Sequence, residues 1–199
     1  MDLHLHSRWS HDSWTTLDKL IARCGEAGLD RIALTDHNTA EGALELKRLA
    51  PELAIVGEEV KTAEGEIVGL FINATIPPGG RPEDVCDLIH AMGGLTYAAH
   101  PFDRRRANFR PDRLVRLAPR IDIIEVYNAW CEPGANQAAL ALARDLGKPG
   151  ATGSDAHAPY ELGNSWMEME PYAGPEDFLD KLGRARHVVT ELSGTGRRS

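Results

Sequence analysis

The stretch Asp2-Leu3-His4-Leu5-His6 places two imidazoles two residues apart in a short apolar run. Side chains at positions i and i+2 of a β-strand point to the same face, so His4 and His6 can reach one ion if this run is a strand. A single His-x-His pair is a weak signal, because the chain contains 8 histidines and a chance pair is easy. The rest of the chain therefore decides whether this pair belongs to a larger site.

Composition places the chain among ordinary globular proteins. Of its 199 residues, 42% are hydrophobic and 26% are charged, which is typical of a folded, water-soluble domain. We predict a single domain over residues 1–199. A domain of this size removes roughly 70% of its unfolded surface from water and needs no metal merely to hold a core. Any bound metal is therefore expected to be functional.

Other sequence features concern location and partners. The three cysteines Cys24, Cys86 and Cys131 have no paired spacing, and the N-terminus lacks the basic and apolar segments of a signal peptide. No apolar run approaches the roughly 20 residues that span a bilayer. These features predict a cytoplasmic protein without a membrane partner. The formal net charge of −8 argues against a broad nucleic-acid surface, since neutralising phosphates requires a basic face. The sequence indicates no particular oligomeric state.

Short apolar runs alternate with amphipathic helical patterns, which indicates β/α units and a mainly parallel sheet. Residues 16–27, 81–92 and 134–146 carry helix signals, each followed by a glycine. The apolar runs 54–60 and 66–72 are predicted to pair as a hairpin. The predicted strands cover residues 3–5, 31–35, 54–60, 66–72, 95–99, 121–126, 150–153 and 187–191.

The remaining histidines and acids follow the predicted strands. Thr35-Asp36-His37 comes directly after one strand, His100 comes after another, and Gly153-Ser154-Asp155-Ala156-His157 repeats the i, i+2 spacing after a third. Glu59 lies at the carboxyl end of a fourth, which is predicted over residues 54–60. Barrels of β/α units gather their catalytic residues at the carboxyl ends of strands, whereas unrelated core or loop polar groups would not line up in this way. His90 and His187 fall outside the pattern and are interpreted as structural.

The order of these motifs resembles the polymerase and histidinol phosphatase (PHP) family. The resemblance covers nearly the whole chain, and it implies a distorted (β/α)7 barrel that carries two or three divalent metal ions. The motifs that carry it are residues 2–6, 10–13, 35–37, 57–59, 99–101, 125–128 and 153–157.

The resemblance also implies which residues hold the ions. Mixed nitrogen and oxygen ligation suits zinc, manganese or iron. Carried over by position, the ligands are His4, His6, Glu59 and Asp155 for one ion, Glu59 and His100 for a second, and Asp12, His37 and His157 for a third. Glu66, Asn128 or Cys131 could complete the coordination of the second ion.

The activity implied by the resemblance is phosphoester hydrolysis. Clustered divalent ions lower the pKa of bound water toward about 7 and hold both the attacking and the leaving oxygens. The nucleophile would be a metal-bound hydroxide, so no serine or cysteine nucleophile is needed. The expected substrate is small and phosphorylated: a phosphomonoester, a nucleotide or an oligonucleotide end.

Two groups of residues could contact this substrate. The run Arg104-Arg105-Arg106 follows the His100-Pro101 motif, and a guanidinium there could hold a phosphate through two hydrogen bonds. The alternative is a solvated surface run. Trp9, Trp14 and Trp130 flank the same face and could stack on a base. Core packing is predicted for at least two of the three.

Two other functions stay open. Amidohydrolase-type C–N hydrolysis uses related His-x-His sites on a barrel. No lysine stands at a matching strand end to form a carbamylated bridge, since Lys61 lies beyond Glu59. The other alternative is a non-catalytic, metal-binding PHP module. The motifs retain both acids and five of the histidines, which argues against a module that has lost its activity.

Overall fold

Seven of the apolar runs form one sheet in the computed structural model, which describes residues 1–106 and 109–189. The strands are paired in chain order, and four of the six pairings are parallel. The two pairings on either side of the fourth strand are antiparallel. The strands are β1 (Asp2–Leu5), β2 (Ile32–Leu34), β3 (Ala54–Lys61), β4 (Glu66–Leu70), β5 (Leu95–Ala98), β6 (Ile123–Asn128) and β7 (Gly150–Gly153).

Backbone hydrogen bonds bring the first and last strands of this sheet together. The Asp155 amide donates to the His4 carbonyl at 2.7 Å, and the His6 amide donates to the Ala156 carbonyl at 2.8 Å. Gly153 permits the approach, because a Cβ at this position would lie 2.4 Å from the His4 Cβ and 2.6 Å from Glu125 Oε1. The sheet therefore nearly closes, and the predicted distorted (β/α)7 barrel is confirmed.

Helices cover the barrel, and their ends follow the sequence signals. Helix α1 (Leu17–Ala27) ends at Gly28 and helix α5 (Pro133–Leu146) ends at Gly147. Both glycines are in the left-handed conformation, with φ of 67° and 62°, which glycine adopts without steric cost. None of the helices in the described ranges is long and apolar enough to cross a membrane. The helices are α1 (Leu17–Ala27), α2 (Glu41–Leu49), α3 (Pro82–Ala91), α4 (Pro111–Leu117), α5 (Pro133–Leu146) and α6 (Pro175–Leu182).

The predicted strands agree with the structure apart from their ends. The hairpin of β3 and β4 is confirmed, with Val60 opposite Ile67. β4 stops at Leu70 rather than at residue 72, because Phe71 has a positive φ of 59° that an extended strand does not allow. β6 begins two residues later than expected, because a 3₁₀ turn (Ala118–Arg120) precedes it.

A second, two-stranded sheet was only half predicted. It pairs β8 (Ser165–Glu168) with β9 (Arg186–Val189) in antiparallel fashion. The sequence pattern missed β8, which is four residues long and is held to the chain start by hydrogen bonds between the backbones of Met1 and Met167. The last predicted strand, residues 187–191, corresponds to β9, and its residues 190 and 191 lie outside the described ranges.

The close contact between β1 and β7 makes a testable prediction about stability. We expect Gly153→Ala to destabilise the fold by about 1–3 kcal/mol, the usual cost of overpacking a core, because the added carbon would clash with His4. Gly134→Ala in α5 is the matched control, since nothing lies within 4 Å of its added carbon. Urea unfolding of both variants measures the difference. Equal free energies of unfolding for the two variants would contradict the close contact between Gly153 and His4.

Candidate metal centre

Glu59 occupies the centre of the site and has no solvent exposure. Four imidazoles surround its carboxylate. His100 Nε2 lies 2.8 Å from Oε1, and His37 Nδ1 lies 3.1 Å from Oε2. His4 Nε2 and His6 Nε2 lie 3.3 and 3.4 Å from Oε2. Strands β1 and β3 and the segments after β1, β2 and β5 thus bring predicted ligands to one point.

Asp155 provides a second buried carboxylate beside this cluster. Its Oδ1 lies 3.1 Å from His6 Nε2 and 3.6 Å from His4 Nε2. Its backbone has a positive φ of 52°, and His100 has one of 28°. Such conformations are costly for residues other than glycine and are found at functional sites. The sharp turns after β5 and β7 are what direct these two side chains inward.

Asp12 completes the cluster at its solvent-exposed rim. Its Oδ2 lies 3.3 Å from both His37 Nε2 and His157 Nε2. The side chain is 37% exposed, unlike Glu59 and Asp155. All eight residues predicted to hold metal therefore meet in one site, with Asp12 on the outside.

Several groups of these residues are close enough to hold an ion. In each group the ligand atoms lie within 4.8 Å of one another. Glu66 belongs to one of them, whereas Cys131 belongs to none of the groups of His, Cys, Asp and Glu found in the described part of the chain. The groups are His6, His37 and His157; His4, His6 and Glu59; His4, His100 and Asp155; and His37, Glu59 and Glu66.

The donor atoms fit divalent cations. His4 Nε2 and Glu59 Oε2 are buried and lie 3.3 Å apart, and neither has a neighbour with the geometry of a hydrogen bond. A buried polar atom without a partner carries a desolvation cost of about 1–3 kcal/mol. A cation between the two atoms would remove that cost for both, and nitrogen and carboxylate oxygen are the donors that zinc, manganese and iron accept.

The charges of the cluster also favour a cation. Burial alone would raise the pKa of Asp155, but His4, His6 and Arg106 hold that pKa well below its usual range. Burial alone would also raise the pKa of Glu59, but the neighbouring imidazoles outweigh burial and hold this pKa well below its usual range. Both acids therefore stay ionised, and their negative charge attracts positive charge to the centre.

Comparison with known proteins identifies the family. The family described as "PHP domain" matches residues 2–123, and the one described as "PHP-associated" matches residues 133–187. The first match covers more than half of the chain. The chain belongs to the PHP family.

Individual proteins are similar to this chain in sequence. Uncharacterized protein MJ1587 of Methanocaldococcus jannaschii is 35% identical over 146 residues, which are 67% of this chain and 84% of the relative. Phosphoribosyl 1,2-cyclic phosphate 1,2-diphosphodiesterase of Eggerthella lenta is 27% identical over 128 residues, which are 61% of this chain and 45% of that protein.

Solved structures share the PHP fold. A two-domain protein of Bacteroides vulgatus, described as containing a predicted PHP-like metal-dependent phosphoesterase, superposes with a TM-score of 0.77 at 19% identity, over 94% of this chain and 64% of the other. An amidohydrolase from Chromobacterium violaceum superposes with a TM-score of 0.70 at 20% identity, over 93% and 96%. At these identities the likeness concerns the fold.

Glu125 orients two of the imidazoles of this PHP site. Its Oε1 lies 3.0 Å from His4 Nδ1 and accepts the Tyr97 hydroxyl at 2.8 Å. Its Oε2 accepts the His100 amide at 2.6 Å and Asn128 Nδ2 at 3.1 Å. A proton on His4 Nδ1 leaves the Nε2 lone pair free for an ion. The sequence motifs included Glu125 but gave it no role.

Ser10 and Asp36 orient the imidazole of His6. The Ser10 hydroxyl donates to Asp36 Oδ1 at 2.8 Å and lies 3.1 Å from His6 Nδ1. Since the serine proton is used on Asp36, Ser10 accepts the Nδ1 proton of His6, and Nε2 again stays free. Ser10 also accepts the His37 amide at 3.0 Å. One hydroxyl therefore positions two of the predicted ligands.

Two proposed ligands have other roles in the structure. Asn128 Nδ2 donates to Asp155 Oδ2 at 3.2 Å as well as to Glu125, so the amide supports the acids. The Cys131 sulfur lies 3.7 Å from Asp103 Oδ2. Burial and nearby Glu125 and Asp103 raise the pKa of this thiol. Of the three candidates for the second ion, Glu66 shares a possible ion group with His37 and Glu59, whereas Asn128 contacts the cluster through Asp155.

The three consecutive arginines occupy different surroundings. Arg106 Nη2 lies 2.6 Å from Asp155 Oδ2, and Arg106 is 22% exposed. Arg105 instead pairs with Asp103 at 3.1 Å and donates to the Trp130 carbonyl. Arg104 lines a neighbouring cavity with Arg105 and Arg106. Arg106 is thus the one of these three arginines that reaches the metal cluster.

A cavity of about 670 Å³ opens above the cluster. The prediction that at least two of the three tryptophans pack in the core is wrong. Trp9 packs against the core, but Trp14 is 89% and Trp130 is 47% exposed. The ring of Trp130 reaches this cavity because its short loop follows β6 at the open end of the barrel. The cavity is lined by His11, Asp12, His37, Asn38, Lys61, Glu66, Arg106, Trp130 and His157.

Adjacent glutamates on β3 offer a test of the metal centre. We expect added Zn²⁺ or Mn²⁺ to raise the melting temperature of the wild-type protein, because an ion that binds only the folded state stabilises it by about 2.7 kcal/mol at a concentration 100 times its Kd. Glu59→Gln should remove most of this shift. Glu58→Gln is the control, since buried Glu58 accepts the Ile76 amide at 2.8 Å and lies outside the groups of potential ligands. An undiminished shift in Glu59→Gln would contradict the site.

Proposed function

We propose that this protein hydrolyses a phosphoester with two or three divalent ions, zinc, manganese or iron, held by the eight predicted ligands. The observation that carries the proposal is the position of Arg106, whose guanidinium reaches a carboxylate of the metal cluster at 2.6 Å. A fixed positive charge beside bound cations suits an anionic substrate. The description of the similar Bacteroides vulgatus protein as a phosphoesterase supports this choice.

The chain's own residues hold and orient the substrate. Bound divalent ions would supply Lewis-acid activation of water and of a phosphoryl oxygen. Arg106 can bind two non-bridging oxygens of the phosphate through its planar guanidinium. Lys61 lines the same cavity and adds a second positive charge. Asn128 and Arg106 both contact Asp155 Oδ2, so Oδ1 stays directed at the imidazoles.

Phosphate chemistry fits the site better than C–N hydrolysis. A carbamylated lysine bridge would need a lysine in the centre of the cluster, and Glu59 occupies that position. Lys61 is exposed at the end of β3. The fold shared with an amidohydrolase does not favour either chemistry, since one fold hosts many reactions. The other alternative, a non-catalytic PHP module, would bind metal ions but would hydrolyse no phosphoester.

Replacing single ligands tests this proposal. We expect Asp155→Asn and His6→Ala each to lower the rate of p-nitrophenyl phosphate hydrolysis by more than the roughly 10- to 100-fold that loss of an outer-shell partner costs. His90→Ala is the control, because His90 pairs with Asp122 at 2.8 Å away from the cluster. Circular dichroism should show a folded barrel in all three variants. Near-native turnover in either ligand variant would exclude the assignment.

The arginine run provides a second test of the proposal. We expect Arg106→Ala to lower kcat/KM at least about tenfold, which corresponds to about 1.4 kcal/mol. Arg104→Ala should change it by no more than about 0–1 kcal/mol, as for a solvated charge. Steady-state kinetics with the best phosphoester found in a screen give both values. Full activity in Arg106→Ala would mean that this guanidinium does not hold the substrate.

A further inference from the structure

Trp130 presents a large aromatic surface in an otherwise polar cavity. Its side chain is 47% exposed, and its ring lies 6.3 Å from that of His157, at an angle of 77°. Among the described residues that line the cavity, it is the one with a large apolar side chain. Leaving such a surface in water is unfavourable, and a solitary exposed aromatic beside a reactive centre is typical of ligand binding.

The backbone of Trp130 is fixed relative to the metal cluster. Its amide donates to Asn128 Oδ1 at 2.9 Å, and its carbonyl accepts a hydrogen bond from Arg105. Asn128 in turn donates to Asp155 Oδ2 at 3.2 Å. The aromatic ring is therefore held at a set position from the predicted ligands. Such preorganisation reduces the entropy lost when a ligand binds.

The cavity combines this ring with positive charge at a suitable size. Arg106 and Lys61 lie in the same cavity as Trp130, so an anion and a flat apolar group can bind side by side. Its volume of about 670 Å³ falls within the range of about 300–1,000 Å³ that is usual for small-molecule sites. A sugar phosphate without a base would leave the aromatic surface unused.

We propose that Trp130 stacks on the base of a nucleotide whose phosphate lies at the metal cluster, which makes nucleoside phosphates the preferred substrate class. The proposal rests on the phosphoester hydrolysis proposed above and specifies its substrate. Stacking of a base on an aromatic side chain strengthens binding roughly 5- to 150-fold and tolerates any base, because every base has a π-face.

Adenosine 5′-monophosphate and ribose 5-phosphate form a matched pair of probes, since they differ in the base alone. Their inhibition constants are measured against p-nitrophenyl phosphate hydrolysis by the metal-loaded protein. We expect the nucleotide to bind at least about tenfold more tightly than the sugar phosphate. Trp130→Ala should reduce this ratio at least about fivefold, whereas Trp130→Phe, which keeps an aromatic ring, should retain most of it. Trp14→Ala is the control for an exposed tryptophan outside the cavity lining.

Equal inhibition constants in the wild-type protein, or an unchanged ratio in Trp130→Ala, would overturn the role of Trp130 while leaving phosphoester hydrolysis intact. If no phosphoester in the screen is hydrolysed, the proposed function fails instead. The same two probes are then titrated by calorimetry into the metal-loaded protein, and the same ratios decide the role of Trp130.

Discussion

A buried ionised carboxylate has to be compensated inside the protein, and Glu59 imposes this condition on the barrel. Isolated burial of such a charge costs several kcal/mol. The chain meets the condition with imidazoles from β1, from the segment after β2 and from the turn after β5, all within 3.4 Å of the Glu59 carboxylate. Two facing atoms, His4 Nε2 and Glu59 Oε2, lie 3.3 Å apart without the geometry of a hydrogen bond. The same constraint that organises the site therefore also favours a cation within it.

An outer layer of hydrogen bonds makes the imidazoles usable as ligands. Glu125 beneath His4, and Ser10 beneath His6, each accept the Nδ1 proton and leave the outward nitrogen free. These supports come from β6 and from the segment after β1, so the orientation of the ligands depends on the closure of the barrel. Closure in turn depends on Gly153, which lets β7 approach His4. The orientation of the predicted metal ligands thus depends on the same contacts that close the barrel.

Sequence reasoning predicted the parts that follow from strand order. Parallel pairing places the carboxyl ends of strands on one rim, which is why seven of the eight proposed ligands could be predicted to meet, whereas Asp12 was implied only by the family resemblance. The role of Glu125 could not be predicted, because its partner Tyr97 comes from β5 and becomes a neighbour only when β5 pairs with β6. Nor could Arg106 be separated from Arg104, since adjacent loop residues differ only in the direction the backbone gives them. β8 escaped detection because its partners are distant in the chain.

The central claim is that the cluster around Glu59 holds divalent metal. Crystals soaked in Mn²⁺ or Zn²⁺ and measured at the absorption edge of that metal test it most directly. The account predicts anomalous difference peaks within about 2.0–2.2 Å of imidazole nitrogens of the cluster, with one peak between His4 Nε2 and Glu59 Oε2. Peaks confined to exposed positions such as His11, with none beside Glu59, would contradict it.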